Sequence, residues 1–470
     1  MRLRINPSAF KDCDIRGKYP DEVNESVFIA VGNAFGRQVL ERPSENLNTR
    51  MVVVGGDARA STSALKESFL AGLTSHELEV VDLGVVPTNV VYWAKAELNA
   101  QACAVITASH NPPEFNGLKI MNGDRPPTPE EISLLAVNSA DVDTRTGRSG
   151  KLRSWPEAAD IYIKCMTDSF SGKGVESISI VVDPGGGCLS GIATKVFRNL
   201  GAKVIGIHDR LDGTFQERHP DCAIPEHLTV LMSTVRENQA DLGIAFDGDG
   251  DRIAVVDDLG RNLASEWLGM ILLHGPMCPG ESVPVILDIK CSMHLERLVR
   301  ELGGRPIRCK SGHAYMKRMV LDRHAIIGVE LSGHIFYGTL EGRDDPLYTG
   351  LVLCDYMSGL RQPLSAVVDT LPKLVMTKDV RVPMTSDRID QILEICSNGF
   401  EGAKVETLDG VRLVWKEGWL LIRRSITEPK ITLRLEGERW EDLERIGRRF
   451  SSVFPELASH VEAAIGEVKP

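Results

Sequence analysis

The sequence predicts an α/β protein in which three similar α/β units precede a smaller C-terminal α+β unit. Three observations carry that expectation. The chain has 470 residues, and at roughly 100–200 residues per domain it holds about three or four domains. Three separated segments share one pattern of an apolar run, a Gly/Asp turn and an amphipathic stretch. From about residue 370 onward the order of elements changes.

The first unit, 1–150, carries "MVVVGGDARASTSALKESFLAGL" (51–73). Its unbroken Val run reads as a strand covered on both faces, and the periodic stretch behind it as a crossover helix. The second unit, 151–257, repeats the pattern in "SISIVVDPGGGCLSGIATKVFRNLG" (177–201), and the third, 258–368, in "SVPVILDIKCSMHLERLVRELGG" (282–304). The last unit, 369–470, reads differently: "VRVPMTSDRIDQILEIC", "GVRLVWKEGWLLIRRS", "KITLRLEG" and "RWEDLERIGRRFSSVF". They give a strand and helix, a hairpin, a strand and a helix, which is α+β order. Linkers are expected near 146–155, 257–260 and 365–372.

A net charge of −11 argues against a nucleic-acid partner, which would need a basic face. It leaves an anionic small-molecule substrate open, because local field outranks the total. The ten cysteines include no C-x-x-C pair and no zinc-like spacing. A reducing cytoplasm is the expected compartment. The N-terminal stretch lacks an apolar signal core, and no run approaches about 18 uncharged apolar residues, so no membrane span is expected.

The sharpest chemical motif is "GIAFDGDGDRIAVVDDLGR" (243–261). Asp247, Asp249 and Asp251 alternate between two apolar strands, and alternate residues of an extended chain share a side. Three converging carboxylates suit a hard divalent cation, Mg²⁺ or Ca²⁺. A plain acidic turn is the rival reading. A calcium EF-hand fails, because its sixth loop position would be Arg252, its twelfth Asp258, and its flanks strands instead of helices. Mg²⁺ usually completes its shell with water or a substrate phosphate.

"VITASHNPPEFNGLK" (105–119) presents Ser109 on a proline-stiffened loop after a strand. Its hydroxyl either bonds its own backbone or carries a phosphoryl group facing the cation. His110, its neighbour, should face away and hold the loop. In "RRSITEPK" (423–430), Arg423, Ser425 and Thr427 alternate and can face one phosphate; an exposed polar turn is the alternative. In "GVELSGHIFYG" (328–338), Glu330, Ser332 and His334 at period two suit sugar hydroxyls or a half-solvated strand edge.

With these motifs assembled, the sequence resembles the α-D-phosphohexomutase family, in its phosphomannomutase/phosphoglucomutase branch. "FKDCDIRG" (10–17) is similar to the family's opening F-x-x-Y-D-I-R-G. "TASHNP" (107–112) matches its phosphoserine loop, and "DGDGDR" (247–252) its magnesium loop. "ELSGH" (330–334) resembles the sugar loop and "RRSITEP" (423–429) the phosphate loop. The resemblance spans essentially the whole chain in the same motif order. It implies mixed-sheet α/β domains around a central cleft that the last domain closes.

The resemblance further implies a role for each matched residue. Ser109 is the phosphorylated serine, and Asp247, Asp249 and Asp251 hold Mg²⁺ with it. Arg252 and Arg16 contact the transferring phosphoryl. Lys119 or His334 moves the hydroxyl proton. Glu330 and Ser332 grip the sugar, with Lys290, Gly312 and His313 as further contacts. Arg423, Ser425 and Thr427 hold the phosphate that does not react. The implied reaction interconverts hexose 1- and 6-phosphates of mannose or glucose. It runs through a phosphoserine enzyme and glucose 1,6-bisphosphate or mannose 1,6-bisphosphate. Rival readings are a phosphoglucosamine mutase, a metal-dependent phosphatase with a serine nucleophile, and a non-enzymatic sugar-phosphate- or calcium-binding module. The chain departs from the family pattern at Cys13 (usually Tyr), Leu331 (usually Met), Ile426 and Pro346.

Overall fold

A computed structural model describes residues 6–42, 48–140, 149–360, 362–425 and 429–469. Its strands form four sheets, one for each expected unit. The first has six strands in the order Ile15–Lys18, Phe115–Asn122, Ala100–Ile106, Asn48–Gly56, Glu79–Val85 and Lys151–Ser154. Every residue of Ala100–Ile106 is buried, as a central strand covered on both faces requires. The edge strand Lys151–Ser154 pairs in parallel with Glu79–Val85, so the first sheet runs past the boundary expected after residue 150.

The second and third sheets repeat the plan. In the second, Ser179–Asp183 lies parallel to Lys203–Gly206 and to Leu242–Phe246. In the third, Pro284–Asp288 lies parallel to Arg305–Cys309 and to Ile327–Val329. Each of the three sheets then turns back through an antiparallel hairpin, and in the third a further antiparallel strand, Arg343–Asp344, follows Ile335–Tyr337. The pairs are Ala100–Ile106 with Phe115–Asn122, Leu242–Phe246 with Ile253–Asp257, and Ile327–Val329 with Ile335–Tyr337. Sheets of this mixed kind bind ligands at the carboxyl ends of their strands. The serine loop, the acidic turn and "ELSGH" are the three hairpin turns, all at such ends.

The fourth sheet is wholly antiparallel, in the order Val380–Pro383, Lys430–Gly437, Gly418–Arg424, Val411–Trp415 and Lys404–Glu406. Its residues Leu420, Ile422, Leu433 and Leu435 pack against Ile389, Ile392 and Phe450 of the helices Ser386–Ser397 and Trp440–Val453. The short edge strand Lys404–Glu406 and the last helix, Ala458–Glu467, add two elements to those expected. The three α/β units share one apolar core that runs through Trp93, Tyr162, Phe197, Leu272 and Leu351. No helix among the described residues is long and apolar enough to cross a membrane.

Glu436 fastens the fourth unit to the third. Its buried carboxylate accepts hydrogen bonds from Ser292 Oγ, from Trp419 Nε1 and, at 2.8 Å, from Met293 N. Removing it leaves three buried donors unpaired, at about 1–3 kcal/mol per group. We expect Glu436→Ala to lower the stability of the fourth unit by at least about 2 kcal/mol in urea unfolding. The half-exposed Arg297–Glu438 pair is the control, and Glu438→Ala should cost under about 1 kcal/mol. Equal losses in the two variants would contradict this account of the interface.

Candidate active site

Ser109 is held in a conformation that its own backbone disfavours. Its φ is 51°, in the left-handed region, which costs a non-glycine residue roughly 1–3 kcal/mol. Its amide donates to Thr107 Oγ1 at 2.8 Å. The main restraint is Arg59, 2% exposed. Arg59 Nη2 donates to the carbonyls of Ser109 and Asn111 at 2.7 and 2.6 Å, and Nη1 to those of Pro112 and Phe115 at 2.6 and 3.1 Å. Asp57 orients the guanidinium by accepting Nε–H at 2.8 Å, and accepts the hydroxyls of Thr62 and Thr107 at 2.6 and 2.8 Å. One fork thus ties four carbonyls of the loop, a geometry that lysine cannot reproduce.

The left-handed turn also corrects the expectation for His110. Its ring lies beside the serine, with Nδ1 3.1 Å from Ser109 Oγ. Burial, reinforced by Arg252 and Arg16, holds its pKa well below the ordinary value, so the ring is neutral. The serine hydroxyl donates to Asp247 Oδ2 at 3.0 Å, which leaves His110 Nδ1–H as the donor to Oγ.

The acidic motif is a tight turn, not the extended segment expected. Asp247 Oδ1 accepts from the amides of Asp251 and Arg252 at 2.9 and 3.1 Å, and Gly250 turns the chain with φ 71°. The carboxylates converge because the turn curls: ligand atoms of Asp247, Asp249 and Asp251 lie within 4.8 Å of one another, all buried. Thr88 of the first unit grips the turn, its hydroxyl donating to Asp249 Oδ2 at 2.7 Å and its amide to Asp249 O at 2.9 Å. A Cβ on Gly248 would lie 2.8 Å from the Ser109 carbonyl oxygen. Only glycine lets the two turns meet this closely.

Lys119, on the hairpin strand after the serine loop, reaches the same carboxylates. Its Nζ donates to Asp249 Oδ2 at 2.7 Å and to Asp251 Oδ2. Burial works against its charge, but Asp249 and Asp251 outweigh burial and hold its pKa well above the ordinary value. Lys119 is therefore an ammonium in this arrangement. Burial and the neighbouring Asp251 and Asp249 push the Asp247 carboxyl well up. Asp249 Oδ1 and Asp251 Oδ1 are buried without a hydrogen-bond partner. An all-oxygen set with unpartnered buried oxygens fits a hard divalent cation.

Arg252 links this centre to the third unit. Its Nε donates to His334 Nε2 at 3.0 Å, and the guanidinium stands 4.0 Å from Asp247 Oδ2. His334 Nδ1 lies 2.8 Å from Asp344 Oδ2. The Arg252 donor makes Nε2 the acceptor and places the ring proton on Nδ1. Burial lowers the ring's pKa, but Asp251 and Asp344 outweigh burial and Arg252 and raise it to about 9, so Nε2 is a basic nitrogen. "ELSGH" closes its hairpin with the Glu330 amide donating to the His334 carbonyl at 3.0 Å. Ser332 Oγ donates to Glu330 Oε1 at 2.7 Å, and Glu330 Oε2 is buried without a partner, an acceptor suited to a sugar hydroxyl.

Further expected residues line two clefts, while Arg423 and Ser425 line neither. One, of about 680 Å³, includes Arg16, His110, Gly312 and His313, with Cys13 beside Tyr315. Arg16 donates to Asn111 Oδ1 at 2.9 Å and pairs with Asp14 at 2.7 Å. Burial pushes the His313 ring down to about 4 and the Cys13 thiol up to about 12, so neither is charged at neutral pH. The second cleft, of about 700 Å³, includes Lys290, Glu330 and Ser332. Lys290 Nζ lies 3.4 Å from Asp379 Oδ2 of the fourth unit. Arg423 pairs with Asp409 at 2.9 Å and donates to Ser311 Oγ at 3.4 Å. The Ser425 amide donates to Lys430 O at 2.9 Å. Thr427 and Ile426 lie outside the described residues.

Known proteins share this architecture. Models described as phosphoglucomutase/phosphomannomutase, alpha/beta/alpha domains I, II and III, match residues 7–139, 160–260 and 269–375. The chain is 32% identical over 444 residues to a phosphomannomutase/phosphoglucomutase of Pseudomonas aeruginosa, covering 93% of this chain and 94% of that protein. It is 31% identical over 456 residues to a phosphoglucomutase of Neisseria gonorrhoeae, covering 96% and 97%. A crystal structure of a phosphoglucomutase/phosphomannomutase family protein from Burkholderia thailandensis superposes with a TM-score of 0.85 at 31% identity, covering 98% of this chain and 99% of that one.

Arg59 sets the serine loop, and its replacement tests that claim directly. With Arg59→Lys, hydrogen exchange of the amides between residues 107 and 115 should speed up about tenfold or more, the effect of losing one or two charge-assisted hydrogen bonds. Exchange in the distant strand Gly418–Arg424 should not change. Unaltered exchange in the serine loop would show that other contacts hold it.

Proposed function

This chain belongs to the phosphoglucomutase/phosphomannomutase family, and from that premise we propose how it interconverts hexose 1-phosphates and hexose 6-phosphates. Ser109 carries the transferable phosphoryl group. The observation behind this reading is the 3.0 Å contact between Ser109 Oγ of the first unit and Asp247 Oδ2 of the second. A nucleophilic hydroxyl beside a carboxylate set that fits Mg²⁺ is the arrangement phosphoryl transfer needs.

In the forward half-reaction the free sugar hydroxyl attacks the phosphorus of phosphoserine109. The new O–P bond forms as the Ser109 Oγ–P bond breaks, and a hexose 1,6-bisphosphate results. In the second half-reaction Ser109 Oγ attacks the other phosphorus; the Oγ–P bond forms as the sugar O–P bond breaks, the sugar oxygen takes back the proton, and the isomeric monophosphate leaves. Asp247, Asp249 and Asp251 would hold Mg²⁺, whose charge offsets that of the phosphoryl oxygens. Arg252 and Arg16 add fixed positive charge at the same group.

His334 is the better placed of the two groups expected to move the hydroxyl proton. Asp344 fixes Nδ1–H and makes Nε2, which accepts from Arg252 in this structure, the nitrogen that can exchange a proton, whereas Lys119 is held as an ammonium by two carboxylates. Lys119 instead helps orient Asp249 and Asp251. Glu330 and Ser332 bind sugar hydroxyls, and Lys290, Gly312 and His313 complete the walls. Arg423, Ser425 and Thr427 hold the spectator phosphate. That handle accepts the phosphate at either end of the sugar, so the bisphosphate can turn over by exchanging the phosphate it holds there. Closure of the fourth unit keeps water from the phosphoserine.

A coupled assay with mannose 1-phosphate, glucose 1-phosphate and glucosamine 1-phosphate tests the substrate class, with Mg²⁺ and a trace of hexose 1,6-bisphosphate. The unmodified hexose phosphates should turn over best. Glucosamine 1-phosphate as the preferred substrate would shift the reading to a phosphoglucosamine mutase, and phosphate release faster than isomer formation would overturn it. Intact mass should show one added phosphoryl group, absent from Ser109→Ala, whose turnover should fall by about 10⁴-fold or more. His334→Gln should slow turnover about 10²-fold or more while the phosphoserine still forms. Chelation of divalent ions should stop turnover, with Mg²⁺ restoring it.

A further inference from the structure

We propose that a basic groove between the third and fourth units binds a small multivalent anion of the phosphate class. The groove, about 710 Å³, lies between the helix Met293–Glu301 and the strands Lys404–Glu406 and Val411–Trp415. It shares no lining residue with the two catalytic clefts. Six cations face it, Arg297, Arg300, Arg308, Lys404, Arg412 and Lys416, against the two carboxylates Glu296 and Glu406.

Those carboxylates are each divided between two cations. Glu296 accepts from Arg300 at 2.7 Å and from Arg308. Glu406 accepts from Lys404 at 2.9 Å and from Arg412 at 3.1 Å. Arg297 has a partner outside the groove, Glu438, at 2.9 Å. Positive charge within the groove therefore remains in excess.

Arg412 is the second, independent observation. It is 3% exposed, with its guanidinium 4.7 Å from the centre of the buried Trp419 ring. Its Nε is buried and has no hydrogen-bond partner. Burial and the neighbouring Arg308 pull its pKa down to about 10, the mark of a cation short of negative charge. A guanidinium with an open buried donor costs free energy unless an anion completes it. The planar fork matches phosphate oxygens, and the surrounding excess charge favours an anion with more than one negative charge. Such an anion would contact residues of both units and tie them together.

The test is calorimetric titration of the full-length chain with inorganic pyrophosphate in magnesium-free buffer. Arg423→Ala with Ser425→Ala serves as background, so that binding at the spectator-phosphate handle is removed. One site should remain. Adding Lys404→Ala and Lys416→Ala, both at exposed positions, should weaken it at least tenfold. In an otherwise unaltered chain, Lys404→Ala with Lys416→Ala should leave mutase turnover unchanged when no pyrophosphate is present. The proposal is overturned if the background binds no pyrophosphate, or if the two lysine substitutions leave the affinity unchanged.

Discussion

The structure depends on one meeting of two turns from different units. The serine loop of the first sheet and the acidic turn of the second approach so closely that Gly248 has no room for a side chain against the Ser109 carbonyl. Three aspartates are buried at that contact, and buried like charges are tolerated only where positive charge and hydrogen bonds offset their desolvation. Lys119 supplies part of the charge and the Thr88 hydroxyl one bond. Two carboxylate oxygens stay unpartnered, and Asp247 is left with a raised pKa. A divalent cation would resolve both features at once, which supports the proposal that metal binding and serine chemistry share a single site.

The three α/β units reach this arrangement by one repeated device. Each ends its parallel strands in an antiparallel hairpin, and the hairpin turn carries the residues proposed for the chemistry. The first turn carries the serine, the second the acidic triplet, and the third Glu330, Ser332 and His334. Because the three units share an apolar core, the turns sit on a common scaffold. His334 and Arg252 join the second turn to the third directly. The antiparallel fourth unit contributes Arg423 from a strand end, fastened to the third unit through Glu436.

Much of this arrangement is legible in the sequence because the residues proposed to react lie in short contiguous motifs. "TASHNP", "DGDGDR" and "ELSGH" each hold their functional side chains within six residues or fewer. The repeated Val-rich runs gave away the three α/β units for a similar reason, since a strand buried on both faces cannot alternate with polar residues. What escaped notice acts across long separations. Arg59 restrains carbonyls fifty or more residues away, and nothing in "GGDARAS" marks it beyond an Asp two positions earlier. Asp344 sets the His334 ring from the next strand. Alternation along the chain would turn the His110 ring away from the serine, but the left-handed residue at Ser109 brings it alongside. The acidic triplet was found for an incomplete reason, since a curled turn and not an extended strand brings its carboxylates together. The edge strand Lys404–Glu406 was too short, and its pattern too polar, to stand out.

The central claim is that the reactive serine and the cation occupy one site. Phosphorus NMR of the phosphorylated chain, titrated with Mn²⁺ in place of Mg²⁺, measures this directly, because a paramagnetic ion broadens only nearby phosphorus. Stoichiometric Mn²⁺ should erase the phosphoserine resonance, and Asp247→Asn should restore it at the same Mn²⁺ concentration. A resonance that stays sharp at saturating Mn²⁺ would place the ion elsewhere and contradict the account.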